Sequence, residues 1–257
     1  MVFGANYTVP KMIKDTVDKY PEVYAQYKRL PNNEFEPITY RDMFQYGMDF
    51  GAALISIGVK KEDKIGLISD NRAEWQQADI GIMAIGAIDV PRGCDATIID
   101  LEKILSITEA QIVIAENNSQ VQKILSIKEK LPALKKFICF ESDIKPETFD
   151  LAKENNVEII NFSEMLKIGQ KWRIENKGKV EELLEAGTGE DVATIIFTSG
   201  TTGDPKGVVL THKNFLAQLD ELPERIFVNP GDKALSVLPI WHVFEREVEY
   251  VIMIQAG

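Results

Sequence analysis

The chain of 257 residues has few cysteines, no excess of basic charge and no long apolar run. Its two cysteines, Cys94 and Cys139, lie far apart and form no C-x-x-C pair, so neither a disulfide framework nor a zinc site is predicted. Lys and Arg number 29 against 40 Asp and Glu, and this net charge of −11 argues against a general nucleic-acid binder. No apolar run reaches the roughly 18 residues of a membrane-spanning helix, and the N-terminus does not resemble a signal peptide. We expect a cytoplasmic protein, with peripheral contact at the inner face of the membrane left open.

The chain does contain an ordinary globular composition and an alternation of strand and helix patterns. Short apolar runs predict strands at 64–69, 87–91, 111–115, 137–140, 157–160 and 193–197. Apolar residues at helical spacing predict helices at 10–24, 39–58, 73–85, 120–130, 149–154 and 163–185. This alternation is typical of βαβ crossovers, so we expect an α/β fold whose parallel-sheet-rich layers carry helices on both faces. The polar stretch 185–191 is the best candidate for a linker.

A loop rich in glycine and hydroxyl side chains follows the strand at 193–197. It reads Thr198-Ser199-Gly200-Thr201-Thr202-Gly203-Asp204-Pro205-Lys206-Gly207, and a second β-rich run follows. Glycines let backbone N–H groups turn inward around an anion, hydroxyls add donors and can ligate Mg²⁺, and Lys206 supplies a mobile positive charge. The loop is not a Walker A motif, because Pro205 precedes the lysine and no helix pattern follows at once. A surface loop between two strands is the alternative interpretation.

Residues 198–207 resemble the phosphate-binding signature of the adenylate-forming (ANL) superfamily, which includes acyl- and aryl-CoA synthetases, luciferases and peptide-synthetase adenylation domains. About nine positions match, and a chance match at one given start has a probability on the order of 10⁻¹¹. The stretch Leu238-Pro239-Ile240-Trp241-His242-Val243-Phe244-Glu245-Arg246 resembles the next core motif, in the form typical of the long-chain acyl-CoA synthetase branch. Residues 69–75 and 86–91 resemble the same branch. The sequence departs from it at Arg92-Gly93-Cys94-Asp95, where relatives usually have an aromatic residue and a threonine.

The resemblance implies roles for residues in both motifs. Those implied for the β- and γ-phosphates of ATP are Ser199, Gly200, Thr201, Thr202, Gly203 and Lys206, with Thr198 in the same loop as a Mg²⁺ ligand through its hydroxyl. His242, Trp241 and Phe244 would belong to the acyl and adenylate pocket. A core position for Trp241, and a purely structural pairing of Glu245 and Arg246, stay open as alternatives.

The resemblance further implies a two-step ligase. A long-chain fatty acid would react with ATP, assisted by Mg²⁺, to give acyl-AMP, and coenzyme A would then take the acyl group. The alternatives are an aryl-CoA ligase, a ligase that serves an acyl carrier protein, and a non-catalytic nucleotide-binding remnant. Nothing in the residues indicates an oligomeric state or the length of the acyl chain.

By the same resemblance, residues 1–257 are the N-terminal part of the large adenylation domain. Residues 60–225 would form an α/β subdomain that ends in the phosphate loop, while 10–58 and 226–257 would be parts of a second, incomplete subdomain. The small C-terminal domain is absent, and the catalytic lysine of the superfamily would lie beyond Gly257. We therefore expect no catalytic residue in this chain and no activity from it alone.

Overall fold

A mixed seven-stranded sheet lies at the centre of the computed structural model, which describes residues 3–30, 32–198, 205–222 and 225–256. The strands are β1 (Tyr24–Arg29), β2 (Phe35–Thr39), β3 (Lys64–Ile68), β4 (Ile88–Arg92), β5 (Ile112–Ala115), β6 (Lys136–Cys139), β7 (Glu158–Asn161), β8 (Val192–Thr198) and β9 (Lys206–Thr211). The order in the sheet is β7-β6-β5-β3-β4-β8-β9. All neighbours run parallel except β8 and β9, which are antiparallel. The strands β1 and β2 form a separate antiparallel pair.

Helices connect the parallel strands and cover the sheet. They are α1 (Val9–Lys19), α2 (Tyr40–Ser56), α3 (Ala73–Ala84), α4 (Ile98–Thr108), α5 (Asn118–Leu125), α6 (Pro146–Glu154), α7 (Phe162–Glu175), α8 (Lys179–Ala186), α9 (His212–Leu219) and α10 (Val243–Ile254). Threonine side chains cap four of the described helices, α1, α2, α4 and α9. The Thr39 hydroxyl accepts the backbone N–H of Asp42 at the start of α2, and Thr97 forms a reciprocal capping box with Asp100 at the start of α4.

Alternate residues of the strands face opposite layers. Ile65 and Leu67 of β3 belong to a core shared with α2, α3 and α7, whereas Ile68 belongs to a second core shared with α4 and α5. Gly66 faces this second core, since a Cβ there would lie 2.9 Å from Leu105 Cδ2 of α4. The sheet therefore has helices on both faces, as the sequence predicts.

The crossing of α2 and α7 depends on one glycine. A Cβ added to Gly169 would lie 1.7 Å from the backbone oxygen of Asp49, so only glycine allows the two helices to approach this closely. The Arg173 guanidinium donates to the Asp49 carboxylate over 2.6 Å on the same contact. Helix α2 lies in the segment 10–58 and α7 in 60–225, and the two pack directly against each other.

Three predicted helices differ from the structure. The pattern at 120–130 forms α5 only as far as Leu125, and a separate 3₁₀ turn follows at Lys128–Lys130. The pattern at 163–185 forms two helices, α7 and α8, because the chain breaks between them at Gly178, whose φ is +79°. The pattern at 10–24 ends as a helix at Lys19, because Tyr20 precedes Pro21 and a residue before proline disfavours the helical conformation. Tyr24 instead begins β1.

The predicted linker is held firmly at both ends. Lys11 Nζ donates to the backbone oxygens of Glu185 and Gly187, over 2.8 and 2.9 Å, and the N–H of Gly189 donates to Ala5. Lys61 forms an ion pair with Asp191 at 2.6 Å. The segment therefore packs against α1 rather than separating two independent units.

Residues after α9 differ in character from the rest. Phe227, Leu235 and Val237 are 85%, 86% and 72% exposed, and this stretch of the described chain has no regular secondary structure before α10. Within the described ranges, no helix combines the length and the apolar character needed to cross a bilayer.

Candidate functional site

The strands β8 and β9 bring the two ends of the glycine-rich loop together. Their antiparallel register ends with Thr198 opposite Lys206, and both side chains are exposed. Gly207 lets β9 pack closely on β8, because a Cβ there would lie 2.9 Å from Ile195 Cγ2 and 3.1 Å from Phe197 Cζ. The other predicted phosphate-binding residues, Ser199, Gly200, Thr201, Thr202 and Gly203, lie outside the described residues. The structure thus places a hydroxyl and a cation at the mouth of this loop.

The neighbouring parallel strand β4 ends at the same edge of the sheet. Asp89 of β4 pairs with Thr194 of β8, and the Thr194 hydroxyl donates to the Asp89 backbone oxygen over 3.2 Å. Three residues further along each parallel strand, Arg92 is level with Phe197, the residue before Thr198. The departure from the long-chain branch at residues 92–95 therefore lies beside the glycine-rich loop.

Asn71 connects the motif at residues 69–75, in which it lies, to the motif at residues 238–246. Its amide nitrogen donates to Ser236 Oγ and to the backbone oxygen of Leu238, each over 2.7 Å. Its amide oxygen accepts the N–H of Ile240 over 2.9 Å. Asn71 does not cap α3, whose N-cap is Arg72. The segment that leads to Trp241 is consequently held by a residue that follows β3.

Trp241 and His242 lie at the start of α10. Trp241 is half-buried, stacks under the Arg92 guanidinium at 4.7 Å and is not a member of the described hydrophobic clusters. His242 is the N-cap of α10, and its Nδ1 accepts the N–H of Phe244 over 3.3 Å. This leaves Nε2 of the exposed His242 for a ligand. Phe244 is 59% exposed. The three predicted pocket residues therefore share one accessible corner of the fold.

Arg246 lies in a fully buried ion cluster. Its guanidinium donates to both Asp89 oxygens, over 3.0 and 3.1 Å, and to Asp79, while Nε donates to the Tyr250 hydroxyl over 2.8 Å. Tyr250 in turn donates to Asp79 over 2.5 Å. Burial raises the pKa of Asp79 to about 7, although the Arg246 charge opposes that rise. The cluster fastens α10 to α3 and to β4, so Arg246 has the structural role that the sequence left open.

The family model for AMP-binding enzymes matches residues 13–257. The chain belongs to the AMP-binding enzyme family. The fold is similar to that of a long-chain-fatty-acid-CoA ligase from Archaeoglobus fulgidus, with a TM-score of 0.75 and 18% identity over 100% of this chain and 47% of that chain.

The names of several relatives of this AMP-binding chain refer to acyl or fatty acyl groups. It is 34% identical to Probable acyl-activating enzyme 16, chloroplastic, of Arabidopsis thaliana, over 95% of this chain and 34% of the relative. It is 31% identical to the long-chain-fatty-acid–[acyl-carrier-protein] ligase AEE15 of the same plant, over 95% and 33%. It is also 31% identical to fatty acyl-CoA synthetase B of Dictyostelium discoideum, over 94% and 36%. The chain thus spans about a third of the length of these relatives.

Asn71 and the acidic partners of Arg246 were not among the predicted site residues. Asn71 lies within the motif at 69–75, and Asp89 lies within the motif at 86–91, so the signal was their position in the AMP-binding motifs. Asp79 gave no such signal, because it lies in the middle of a helical pattern and reveals its role only through the fold.

A further group of ligand-type side chains lies at the same sheet edge. Asp70, Cys94 and Glu116 follow β3, β4 and β5, and their ligand atoms lie within 4.8 Å of one another. Burial raises the pKa of the Cys94 thiol to about 12, so the thiolate that metals bind is disfavoured. Asp70 accepts the N–H of Cys94 over 3.1 Å, and Glu116 accepts the N–H of Asp70 over 2.8 Å. The group fastens three strand ends to one another.

Proposed function

We propose that the protein carrying this chain activates a long-chain fatty acid with ATP and then transfers the acyl group to a thiol. The observation that carries the proposal is the β8–β9 hairpin, which holds Thr198 and Lys206 together at the mouth of a glycine- and hydroxyl-rich loop. Membership of the AMP-binding family supports the same conclusion. The residue at the end of β8, Thr198, lies at the same end of the sheet as the carboxyl end of β4, where Trp241 lies against Arg92 and Gly93.

In this mechanism, the chain positions charge more than it reacts. Lys206 contacts the β- and γ-phosphates, and its positive charge stabilises the negative charge that develops on pyrophosphate as it leaves. Residues 199–203 direct backbone and hydroxyl donors at the same phosphates. The Thr198 hydroxyl is a hard oxygen donor, which suits Mg²⁺, and a bound Mg²⁺ would neutralise phosphate charge. Trp241, His242 and Phe244 border the acid, whose carboxylate oxygen attacks the α-phosphorus.

The acceptor is coenzyme A or the thiol of an acyl carrier protein. Similar relatives bear names of both kinds, a fatty acyl-CoA synthetase and an acyl-carrier-protein ligase. We favour coenzyme A because the motif ending in Phe244-Glu245-Arg246 has the form of the long-chain CoA branch. A competition experiment distinguishes the two acceptors. The enzyme is first loaded with acyl-AMP, both acceptors are then added, and mass spectrometry measures how much acyl-CoA and how much acylated carrier protein are formed.

The decisive test compares two exposed lysines of the same hairpin region in the full-length protein. Lys206→Ala removes the proposed phosphate contact, whereas Lys213→Ala removes an exposed lysine that pairs with Glu190 at 2.8 Å. We expect fatty-acid-dependent ATP–pyrophosphate exchange to lose at least about tenfold in kcat/KM for ATP with Lys206→Ala, the value of one charge-assisted hydrogen bond. Lys213→Ala should keep the wild-type value. An unchanged kcat/KM in Lys206→Ala contradicts the proposed role.

We also propose that catalysis needs parts of the protein outside this chain. Residues 60–225 form the α/β subdomain in this proposal, and 10–58 and 226–257 belong to a second one that further residues complete. The large exposed side chains at 227–238 support the division, since a completed subdomain would cover them. The expected result is pyrophosphate exchange by the full-length protein and none by residues 1–257.

A further inference from the structure

Arg92 is an arginine without an acidic partner in an acidic chain. Three other arginines that are at least half-buried, Arg72, Arg173 and Arg246, each form ion pairs with carboxylates. For Arg92, no ion pair and no hydrogen bond of the guanidinium occurs within 3–30, 32–198, 205–222 and 225–256, and its Nε is buried without a partner. A buried donor of this kind is uncommon in native proteins, and the unpaired Nη groups beside it are the ones that a ligand can reach.

The neighbouring carboxylates do not serve Arg92. Asp70 accepts the backbone N–H of Cys94, and Glu116 accepts the N–H of Asp70 and the hydroxyl of Ser69. Both acids are thus occupied with the turns that follow the strands. Within the described part of the chain, neither acid forms an ion pair with Arg92.

Trp241 lies against this guanidinium. The Arg92 carbon Cζ lies 4.7 Å from the centroid of the indole ring. Gly93 makes room for the ring, because a Cβ there would lie 2.3 Å from Trp241 Nε1. This cation–π contact holds the guanidinium against the ring, and its two Nη groups, which are not among the buried atoms without a partner, remain able to form a bidentate contact.

The position of Arg92 is suited to a substrate group. It ends β4, level with Phe197 of the parallel strand β8 and so one residue before Thr198 and the glycine-rich loop. On its other side the Trp241 ring lies 6.4 Å from the ring of His242. The arginine is therefore at the carboxyl end of β4, level with the last residues of β8, and its guanidinium lies over the ring of a predicted pocket residue, Trp241.

We propose that Arg92, held by Trp241 and Gly93, binds an oxyanion of the substrates through a bidentate contact. The inference rests on the proposed function, which supplies two such groups: the carboxylate of the fatty acid and the phosphates of ATP. Both present paired oxygens that match the guanidinium edge.

The test measures binding to the full-length protein by calorimetry with paired ligands. Dodecanoate and dodecan-1-ol have the same carbon chain, and only dodecanoate has a carboxylate. The affinity for pyrophosphate measures binding of the phosphate group. Arg92→Gln removes the charge, and Arg92→Lys keeps it without the planar fork. The control is Arg41→Gln, which removes the same charge from an exposed residue that pairs with Glu22.

If the carboxylate is the ligand, the preference for dodecanoate over dodecan-1-ol falls about tenfold or more in Arg92→Gln, while pyrophosphate affinity stays constant. If phosphate is the ligand, pyrophosphate affinity falls by the same factor and the acid preference stays constant. Arg92→Lys should recover part of either loss, and Trp241→Leu should show part of it. Unchanged binding of all three ligands in Arg92→Gln, or an equal loss in Arg41→Gln, overturns the proposal.

The experiment separates this inference from the proposed function. If the wild-type protein shows no acid-dependent pyrophosphate exchange but the Arg92→Gln variant binds the oxyanion more weakly than wild type, fatty-acid activation is refuted and the oxyanion site is retained. Normal exchange together with unchanged binding in Arg92→Gln would refute the site and retain the activity.

Discussion

Replacing Arg246 by methionine tests the buried ion cluster most directly. Methionine keeps much of the side-chain length but removes the cation between Asp79 and Asp89. The two carboxylates are about 1% exposed and fully buried, respectively, so water cannot replace the lost charge. The Tyr250 hydroxyl loses its donor from Arg246 as well.

The expected loss is large for a single substitution. Removing one partner of a buried ion pair costs about 3–5 kcal/mol. A loss of about 4 kcal/mol raises the ratio of unfolded to folded protein by about a thousandfold. It is also a large share of the roughly 5–15 kcal/mol that separates folded from unfolded states in most domains. The surface pair of Arg41 and Glu22 provides the matched control, with an expected loss of about 0–1 kcal/mol in Arg41→Met.

The pH dependence distinguishes a charge effect from lost packing. Burial already raises the pKa of Asp79 above its ordinary value, so the folded state binds the proton more tightly than the unfolded state does. A raised carboxyl pKa stabilises the fold at low pH, and that contribution is lost as pH rises through the folded pKa. Removing the Arg246 cation raises the pKa of Asp79 in the folded state further. The deficit of Arg246→Met should therefore grow between pH 5 and pH 8.

Urea unfolding of wild type, Arg246→Met and Arg41→Met at pH 5 and pH 8 measures these free energies. Arg246→Met with Asp79→Asn should recover part of the loss at pH 8, because one buried charge is then gone. A deficit below about 1 kcal/mol, or one that is equal at both pH values, would refute the argument.

Two further predictions concern the packing of the helices. Gly169→Ala should destabilise the protein by about 3 kcal/mol, because its Cβ would collide with the Asp49 backbone, whereas Gly4→Ala meets nothing within 4 Å and should change stability by less than about 0.5 kcal/mol. Thermal unfolding of both variants checks this, and equal melting temperatures would count against it. Burial lowers the pKa of His212 to about 4, so its contribution to stability is complete above pH 6.5 and declines as pH falls towards 4, by up to about 3 kcal/mol. His212→Gln should flatten that acid limb of the stability–pH curve, and an unchanged limb would contradict the assignment.

The sequence predicts the central sheet well, for a physical reason. Buried parallel strands are short continuous apolar runs, and those at β3, β5 and β6 stand out between polar turns. The hairpin of β1 and β2 was missed, because its largely exposed residues carry no such run. The division between α7 and α8 was missed because the helical period continues across Gly178, and only the backbone conformation breaks it.

The roles of the candidate site residues stay predictions, and the structure adds the geometry that the sequence could not supply. Residue type pointed to Lys206 and the family resemblance to Trp241 and His242, and the fold brings Trp241 beside the end of β4, with His242 next to it. The sequence could not indicate that Arg246 would face inward onto Asp79, since these residues are 167 positions apart. It also could not indicate that Arg92 stacks on Trp241, because residues 92–95 depart from the pattern that the resemblance supplies.

The long separation between Arg246 and its acids imposes an order on synthesis. At translation rates of about 5–20 residues per second, Arg246 emerges from the ribosome roughly 10–30 s after Asp79. During that interval the carboxyl groups of Asp79 and Asp89 can be buried only if they take up protons, since the arginine that pairs with them has not yet been synthesised. Otherwise they remain hydrated. The contact between α3 and β4 therefore stays open to water in the nascent chain, and closes when α10 arrives. A ribosome paused before residue 246 should hold a chain whose Asp89–Thr194 strand pairing exchanges its amide hydrogens rapidly.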